Sequence, residues 1–268
     1  GSADDDTLKG LEGDDEIQGG DGDDEIEGGD GDDTLYGGDG DDRIIGGKGI
    51  DTIYGGDGDD YLHAGIGTYT YHDDDESGLQ LIDAGAGNDT IEGRDNLKVL
   101  GGSGNDSVNG GASYFDGGDG DDSIRLPHGW NDYKVDHLDG GNGTDTLILA
   151  GNFGSSSFGS TSIGQKVVNF ENITFASGYS YTFSLGEQAA SQGDSITVQV
   201  DGYYVDFTST TQGNITFNGG DWTNANNVGD KVVLGSGDDT ISLYQGNDTV
   251  TGGAGNDTID GGIGTDIA

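Results

Sequence analysis

Aspartate returns at every ninth residue over the first sixty positions of the chain, and the same spacing resumes further along. The residues concerned are Asp15, Asp24, Asp33, Asp42, Asp51, Asp60, Asp89, Asp106, Asp122, Asp145, Asp239, Asp248 and Asp257. Carboxylates supply oxygen ligands to hard cations, and isolated pairs of them also act as general acids and bases. Because acidic residues are so abundant here, no single pair points to glycoside hydrolysis. The regular spacing instead favours a row of equivalent cation sites.

Each of these aspartates takes the sixth place of a nine-residue unit that reads Gly, Gly, any residue, Gly, any residue, Asp, any residue, an aliphatic residue, any residue. Units from 19–27 to 55–63 follow one another without a gap. The glycines at their second and fourth places are Gly20, Gly22, Gly29, Gly31, Gly38, Gly40, Gly47, Gly49, Gly56 and Gly58. Since Gly adopts positive φ without steric cost, the first six places predict a turn. The last three places predict a very short strand.

Two units make one coil of eighteen residues with two turns and two strands, so each unit stacks on the next unit but one. The inward aliphatic residues are then Ile17, Ile26, Leu35, Ile44, Ile53 and Leu62. The fifth-place aspartates alternate away from them and are expected to be solvent-facing solubility charges; they are Asp14, Asp23, Asp32, Asp41 and Asp59.

Stacking places the sixth-place carboxylates near one another along both edges of the coil. Parallel strands lie about 4.8 Å apart. At that distance two carboxylates repel by about 0.9 kcal/mol in water and by about 3.5 kcal/mol at an effective dielectric near 20. A cation between successive turns would relieve the repulsion, and turn carbonyls would bind it too. Numerous, flexible oxygen ligands fit calcium better than magnesium or zinc.

The charge of the whole chain also calls for a cation. Its 268 residues include 52 Asp or Glu and only 9 Lys or Arg, which gives a formal net charge of −43, and 30% are hydrophobic. Such a composition is typical of disorder unless a partner offsets the charge. It excludes unaided binding to nucleic acid and disfavours anionic membranes.

The sequence holds none of the motifs that predict a catalytic or covalently stabilised protein. The absence of Cys excludes disulfides and thiolate metal sites. There is no Gly-x-Ser-x-Gly, no phosphate-binding loop and no His-Glu-x-x-His. No apolar run approaches the roughly 20 residues of a membrane span. We therefore predict neither an enzyme nor a membrane-inserted protein.

Three blocks of repeats and two segments without them divide the chain. We predict a first block at 1–72, an acidic linker at 73–83, a second block with irregular insertions at 84–148, an all-β spacer or cap at 149–229, and a truncated third block at 230–268. Within the spacer, alternating runs predict strands at 166–175, 179–185, 195–200, 203–207 and 214–217. These strands also fit a small sandwich. In unit 64–72, Tyr69 stands in the aspartate place, so no normal cation site is expected there.

Units such as Gly19-Gly20-Asp21-Gly22-Asp23-Asp24 resemble the calcium-binding nonapeptide repeat of the RTX (repeats-in-toxin) family. The resemblance implies an all-β fold, a right-handed parallel β-roll with two short strands per coil, interrupted here by the non-repeat all-β insert. It implies several bound calcium ions between adjacent turns. The implied ligands are the thirteen sixth-place aspartates named above, together with turn carbonyls, among them those of the second- and fourth-place glycines.

The function implied by this resemblance is a calcium-binding structural module that folds on binding extracellular calcium. It would belong to a type I secreted adhesin, surface-layer protein or exoprotein of a bacterium. A non-catalytic carbohydrate-binding or substrate-guiding appendage of a secreted enzyme is the alternative, with a glycan or cell-surface partner left open. We expect a monomer whose partners are calcium ions.

Overall fold

The computed structural model describes residues 1–65, 80–93, 97–127, 137–150, 167–175, 180–185, 195–200, 204–209, 212–219 and 229–268. Every regular element within these ranges is a β-strand, and these strands pair with one another in parallel. Tyr69 and residues 73–79 of the predicted linker lie outside the described residues. No helix in the described part of the chain is long and apolar enough to cross a membrane.

The chain divides into two compact units. Unit 1 comprises Gly1–Ile124 and Gly140–Gly143, and unit 2 comprises Arg125–Asp139 and Thr144–Ala268. These units group the five predicted segments differently, and the five-segment division stays a prediction of the sequence.

Unit 1 consists of two series of parallel strands that alternate along the chain. One series contains β1 (Thr7–Glu12), β3 (Glu25–Asp30), β5 (Arg43–Lys48), β7 (Tyr61–His63), β9 (Thr90–Gly93) and β11 (Ser107–Gly110). The other contains β2 (Glu16–Asp21), β4 (Thr34–Asp39), β6 (Thr52–Asp57), β8 (Gln80–Ala86), β10 (Leu97–Ser103) and β12 (Tyr114–Asp119). Strand β13 (Ser123–Pro127) spans the boundary between the units. Residues 80–83, which the sequence assigned to the acidic linker, form the first half of β8.

The register confirms that each unit stacks on the next unit but one. Ile26 pairs with Ile44, and Leu35 pairs with Ile53, each eighteen residues further on. The inward aliphatic residues fill the interior between the two series, because the side chains of Ile26, Leu35, Ile44, Ile53 and Leu62 are fully buried. Each such side chain contributes about 1.5–3 kcal/mol by leaving water.

The strands of the first block are longer than the sequence indicated. Strands β2 to β6 have six residues each, so they run through the two glycines and the third place of the following unit. Only the fourth to sixth places remain as a turn. The prediction of a three-residue strand missed this because Gly-Gly is weak strand sequence by itself. Here the pairing to neighbouring coils outweighs that weakness.

Unit 2 is built in the same way. One series contains β15 (Thr146–Ala150), β17 (Asn172–Phe175), β19 (Ser195–Val200), β21 (Asn214–Asn218), β23 (Thr240–Ser242) and β25 (Thr258–Asp260). The remaining strands are β14 (His137–Asp139) with β16 (Val167–Val168), and β18 (Ser180–Leu185) with β20 (Tyr204–Ser209), β22 (Lys231–Val233) and β24 (Thr249–Thr251). The run predicted as one strand at 166–175 is two strands, because Asn169 adopts φ 54° between them.

Candidate metal centre

The sixth-place aspartates lie at the turns, directly before each strand. In unit 1 the turns before β3, β5 and β7 carry Asp24, Asp42 and Asp60, and we call this side the first edge. The turns before β2, β4 and β6 carry Asp15, Asp33 and Asp51, and we call this side the second edge.

One carboxylate oxygen of each aspartate forms a ladder with the preceding coil. The backbone N–H of Asp24 donates to Oδ1 of Asp42 at 2.8 Å, and that of Asp42 donates to Oδ1 of Asp60 at 2.8 Å. The first edge continues this ladder through Asp89 and Asp106 at 2.8 and 2.9 Å. Asp106 in turn donates to Asp122 at 2.7 Å. The ladder fixes the orientation of each carboxylate, so the second oxygen points into the stack.

That second oxygen, Oδ2, is buried and has no hydrogen-bond partner along the row. This holds for Asp15, Asp24, Asp33, Asp42, Asp51, Asp60, Asp89, Asp106, Asp239 and Asp248. Asp122 and Asp145 are also buried, whereas Asp257 is half-buried. Buried carboxylate oxygens are normally paired or bound to metal, because removing a charge from water is costly.

The first-place glycine of each unit leaves a cradle beside this oxygen. A Cβ atom at Gly19 would overlap both Oδ2 of Asp24 and the carbonyl oxygen of Gly37, the first residue of the unit one coil later. The same two kinds of oxygen converge at Gly10, Gly28, Gly37, Gly46, Gly55, Gly101 and Gly117. The spacing of the repeat does not single out the first-place carbonyl, although the glycine that begins most units was an available signal. A side chain there would fill the cradle.

The second- and fourth-place glycines serve the close approach of the coils. Gly38 has φ +132°, and a Cβ on it would overlap the carbonyl oxygen of Gly20 in the preceding coil. Gly40 has φ +129°, and its Cβ would lie 2.5 Å from the carbonyl oxygen of Gly22. The other predicted glycines at these places also have positive φ. They let the turns stack closely enough for oxygens of successive coils to converge.

Burial raises the pKa of several carboxyl groups in this row, because the charged form loses its water. The pKa rises to about 6 for Asp42, Asp51 and Asp89, and to about 7 for Asp60 and Asp106. The backbone N–H bond opposes the rise, and neighbouring carboxylates add to it. Protons and a cation therefore compete for the same oxygens.

The fifth-place aspartates are exposed, as expected of solvent-facing charges, and their carboxylates also accept backbone hydrogen bonds. Oδ1 of Asp23 accepts from the backbone N–H of Asp41 at 2.9 Å, and Oδ1 of Asp41 accepts from that of Asp59 at 2.9 Å. Asn fills the place equally well, since the side-chain oxygen of Asn88 accepts from Asn105 N–H at 2.8 Å. These residues form a second side-chain ladder, which sequence spacing alone could not distinguish from solvated charge.

Unit 2 repeats the sixth-place ladder. The backbone N–H of Asp230 donates to Oδ1 of Asp248 at 2.7 Å, and that of Asp248 donates to Oδ1 of Asp266 at 3.0 Å. The backbone N–H of Asp239 donates to Oδ1 of Asp257 at 3.1 Å. The pKa values of Asp239 and Asp248 are raised, first of all by burial.

Glu171 holds a ladder place in unit 2 that the sequence analysis missed. The backbone N–H of Asp145 donates to its Oε2 at 2.7 Å, and the register pairs Thr146 with Asn172, the residues that follow the two acids. Glu171 lies outside the nine-residue repeat. Its only signal was an acid placed directly before a strand.

The oxygens brought together are suited to a hard cation. Among the described residues no three His, Asp or Glu side chains cluster as a metal group. The cradles instead combine one carboxylate oxygen with main-chain carbonyls. Such all-oxygen, partly main-chain sets are those that calcium takes, and the orphaned Oδ2 atoms show that the residues present fit it.

A family model described as the RTX calcium-binding nonapeptide repeat, in four copies, matches residues 1–35, 36–71, 78–96, 135–152 and 233–268, more than half of the chain. Neither the curated proteins nor the solved structures gave a match. This repeat is a structural calcium-binding repeat rather than a catalytic one, and it occurs in secreted bacterial proteins. The parallel coils, the row of buried carboxylates and the family match together lead to one conclusion: the chain is a calcium-binding β-roll and belongs to the RTX calcium-binding nonapeptide repeat family.

Proposed function

We propose that this chain is a folding switch for extracellular calcium, unfolded without the ion and a compact β-roll with it. The observation that carries the proposal is the row of buried Oδ2 atoms without hydrogen-bond partners in a chain of net charge −43. Each unpaired buried charge costs several kcal/mol. A bound calcium ion removes that cost at every cradle.

Linkage supplies the mechanism. Ions that bind only the folded form shift the equilibrium toward it, by an amount that grows with ion concentration and with the number of sites. Extracellular calcium modules bind at about 0.1–1 mM. Cytosolic calcium should therefore leave the chain unfolded, and calcium outside the cell should fold it.

We assign the calcium ligands to the sixth-place aspartates together with turn carbonyls. The first-place carbonyls that face Oδ2 support this assignment, and they join the second- and fourth-place glycine carbonyls expected from the sequence. When bound, calcium would supply charge neutralisation and a tie between successive coils. The protein's own contribution is the Oδ1 ladder, which holds each carboxylate in the orientation that leaves Oδ2 free for the ion.

The biological setting we propose is a type I secreted adhesin, surface-layer protein or exoprotein of a bacterium. Calcium dependence suits that route, because an unfolded passenger can thread an exporter and folding outside opposes its return.

Titration of calcium into chelator-treated protein tests the proposal. Circular dichroism and small-angle X-ray scattering should show an expanded, disordered chain in excess EGTA and a compact β protein after calcium is added. A compact β signal that persists in excess EGTA would overturn the folding switch.

No observation favours the carbohydrate-binding alternative. Tyr36 and Tyr54, whose rings are of the kind that can stack on sugars, stack on each other with ring centroids 4.8 Å apart. The Tyr61 ring is covered by the Arg43 guanidinium at 5.0 Å, and Phe115 is fully buried. A glycan array read with and without EGTA tests this alternative directly.

A further inference from the structure

On the second edge, Gln80 occupies the position of a sixth-place aspartate in the coil after Asp51, as the strand register shows. Strands β6 and β8 pair Thr52 with Leu81, and Leu81 N–H donates to the carbonyl oxygen of Asp51 at 3.1 Å. The same bond links earlier coils, where Thr52 N–H donates to the carbonyl oxygen of Asp33 at 2.8 Å. Gln80 precedes Leu81 as Asp51 precedes Thr52, so it stands where a carboxylate is expected.

The Gln80 side chain donates to a turn carbonyl from that place. Its Nε2 lies 2.8 Å from the carbonyl oxygen of Gly49, in the turn that carries Asp51, and the bond is partly buried. A carbonyl oxygen can only accept, so the amide nitrogen must face it. The amide thus binds a turn oxygen of the kind that a cation binds, without bringing a charge.

Residues further along the second edge continue without carboxylates. Strands β8 and β10 pair Gln80 with Leu97, which is fully buried. Strands β10 and β12 pair Lys98 with Tyr114, so Ser113 takes the next place. Ser113 is buried, and its Oγ lies 3.3 Å from the carbonyl oxygen of Leu97.

On the first edge of the same coils, every corresponding position holds a carboxylate. These positions are filled by Asp60, Asp89, Asp106 and Asp122, all buried. Ser107 N–H donates to the carbonyl oxygen of Asp89 at 2.8 Å, which confirms the register there. The carboxylate row therefore stops on one edge while it continues on the other.

We propose that Gln80 ends the calcium row on the second edge of unit 1, and that protein groups replace ions there from Gln80 to Ser113, an inference that rests on the proposed function. The last calcium cradle on this edge is the one beside Gly46, where Oδ2 of Asp51 and the carbonyl oxygen of Ala64 converge. Gln80 is a positioning residue: it holds the Gly49 carbonyl by a hydrogen bond and contributes no ligand. The coils of unit 1 that follow it depend on calcium at the first edge only.

Variants of Gln80 test whether its side chain takes the place of a calcium ion or binds one. We compare Gln80→Ala and Gln80→Glu with the same changes at Gln18, an exposed residue on β2. Bound calcium per chain is measured by equilibrium dialysis with atomic emission, and the melting temperature is measured in saturating calcium. Both Gln80 variants should keep the wild-type ion count and lose roughly 2–6 °C, because a carbonyl loses its donor. Both Gln18 variants should match wild type.

Loss of an ion in Gln80→Ala, or tighter calcium binding in Gln80→Glu, would make Gln80 a ligand and overturn the inference. Glu is diagnostic because it can bind calcium but cannot donate to the Gly49 carbonyl.

A wild-type crystal soaked with terbium gives a second readout that needs no variant. Anomalous peaks should occur beside Gly10, Gly28 and Gly46 on the second edge and stop there, while first-edge peaks continue beside Gly101. Peaks that continue along both edges would leave the proposed function intact and overturn only this inference. A protein that binds no ion at either edge would overturn the proposed function itself.

Discussion

Each sixth-place aspartate gives its two oxygens different roles, as Asp42 illustrates. Oδ1 accepts from the backbone N–H of Asp24, and Oδ2 is buried without a hydrogen-bond partner. The neighbouring Asp41 also accepts from a backbone N–H, but its side chain is exposed. The proposed ligand and the solvent-facing residue are therefore distinguished by the second oxygen.

Asn substitutions should separate the two roles. Asp42→Asn keeps an Oδ1 acceptor for the ladder but replaces Oδ2 by an amide nitrogen, so it should bind fewer calcium ions and fold at higher calcium. Asp41→Asn should keep the ion count, because Asn88 already fills the equivalent place. Equal losses of bound calcium in the two variants, counted by equilibrium dialysis, would contradict the ligand assignment.

The raised carboxyl pKa values predict how pH acts on the ion-free roll. The pKa of Asp60 and Asp106 rises to about 7 in the folded chain, against an ordinary value of 3.8. Between these values the folded form binds more protons, so its free energy of unfolding falls as pH rises. This stabilisation is complete below pH 3.8 and lost as pH rises through about 7.

Ion-free protein prepared on a chelating resin should therefore show more β structure by circular dichroism at acidic pH than at alkaline pH, where the proposed switch leaves the chain unfolded. Calcium affinity should change in the opposite direction, because protons compete for Oδ2. A β signal of the ion-free protein that increases from acidic to alkaline pH would refute the assigned burial of these carboxyls.

At the scale of the strand and its turn, close approach between coils decides which residues are tolerated. Gly13 and Gly40 both take the fourth place and have φ +109° and +129°. A Cβ on Gly13 meets no atom within 4 Å, whereas one on Gly40 would lie 2.5 Å from a carbonyl oxygen of the preceding coil. Backbone conformation is matched at the two sites, and only the stacking differs.

Alanine at these two glycines should measure the cost of stacking apart from the cost of backbone strain. Gly13→Ala should lose about 1–3 kcal/mol of unfolding free energy from its φ alone. Gly40→Ala should lose clearly more, because β-strands of successive coils must move apart. Denaturant melts in saturating calcium measure both, and similar losses would show that the close contact is relieved without strain.

At the scale of the whole molecule, 52 acidic residues against 9 basic ones oppose compaction. Ionic strength weakens this repulsion everywhere, whereas the cradles require an ion with flexible oxygen coordination. The two contributions differ in their chemistry, so different salts separate them.

Sodium chloride and magnesium should not replace calcium. At about 1 M salt the Debye length falls to about 3 Å, so repulsion between exposed charges is screened. The buried Oδ2 atoms would still lack a partner, and magnesium demands a stricter octahedral geometry. Circular dichroism should show β structure only with calcium, at about 1 mM. Full folding in salt alone would mean that net charge, not site binding, controls the transition.

Four features could be predicted from the amino-acid pattern: the repeat, the stacking of alternate units, the inward aliphatic residues and the row of aspartates. These follow from a local period of nine, since Gly-rich turns and alternating triplets act over a few residues. The register then confirmed the pairing of Ile26 with Ile44.

The other features of the fold and the site arise from contacts between neighbouring coils, and they became visible in the structure. These contacts extend the strands through Gly-Gly and place the first-place carbonyls against Oδ2. They also give the fifth-place aspartates a hydrogen-bond ladder of their own. Finally, they put Glu171 in register with Asp145, and Gln80 in register with Asp51. After an irregular segment the residue count no longer sets which side chain faces which coil. Hydrogen bonding between strands distant in sequence sets this register, and no local sequence pattern encodes it.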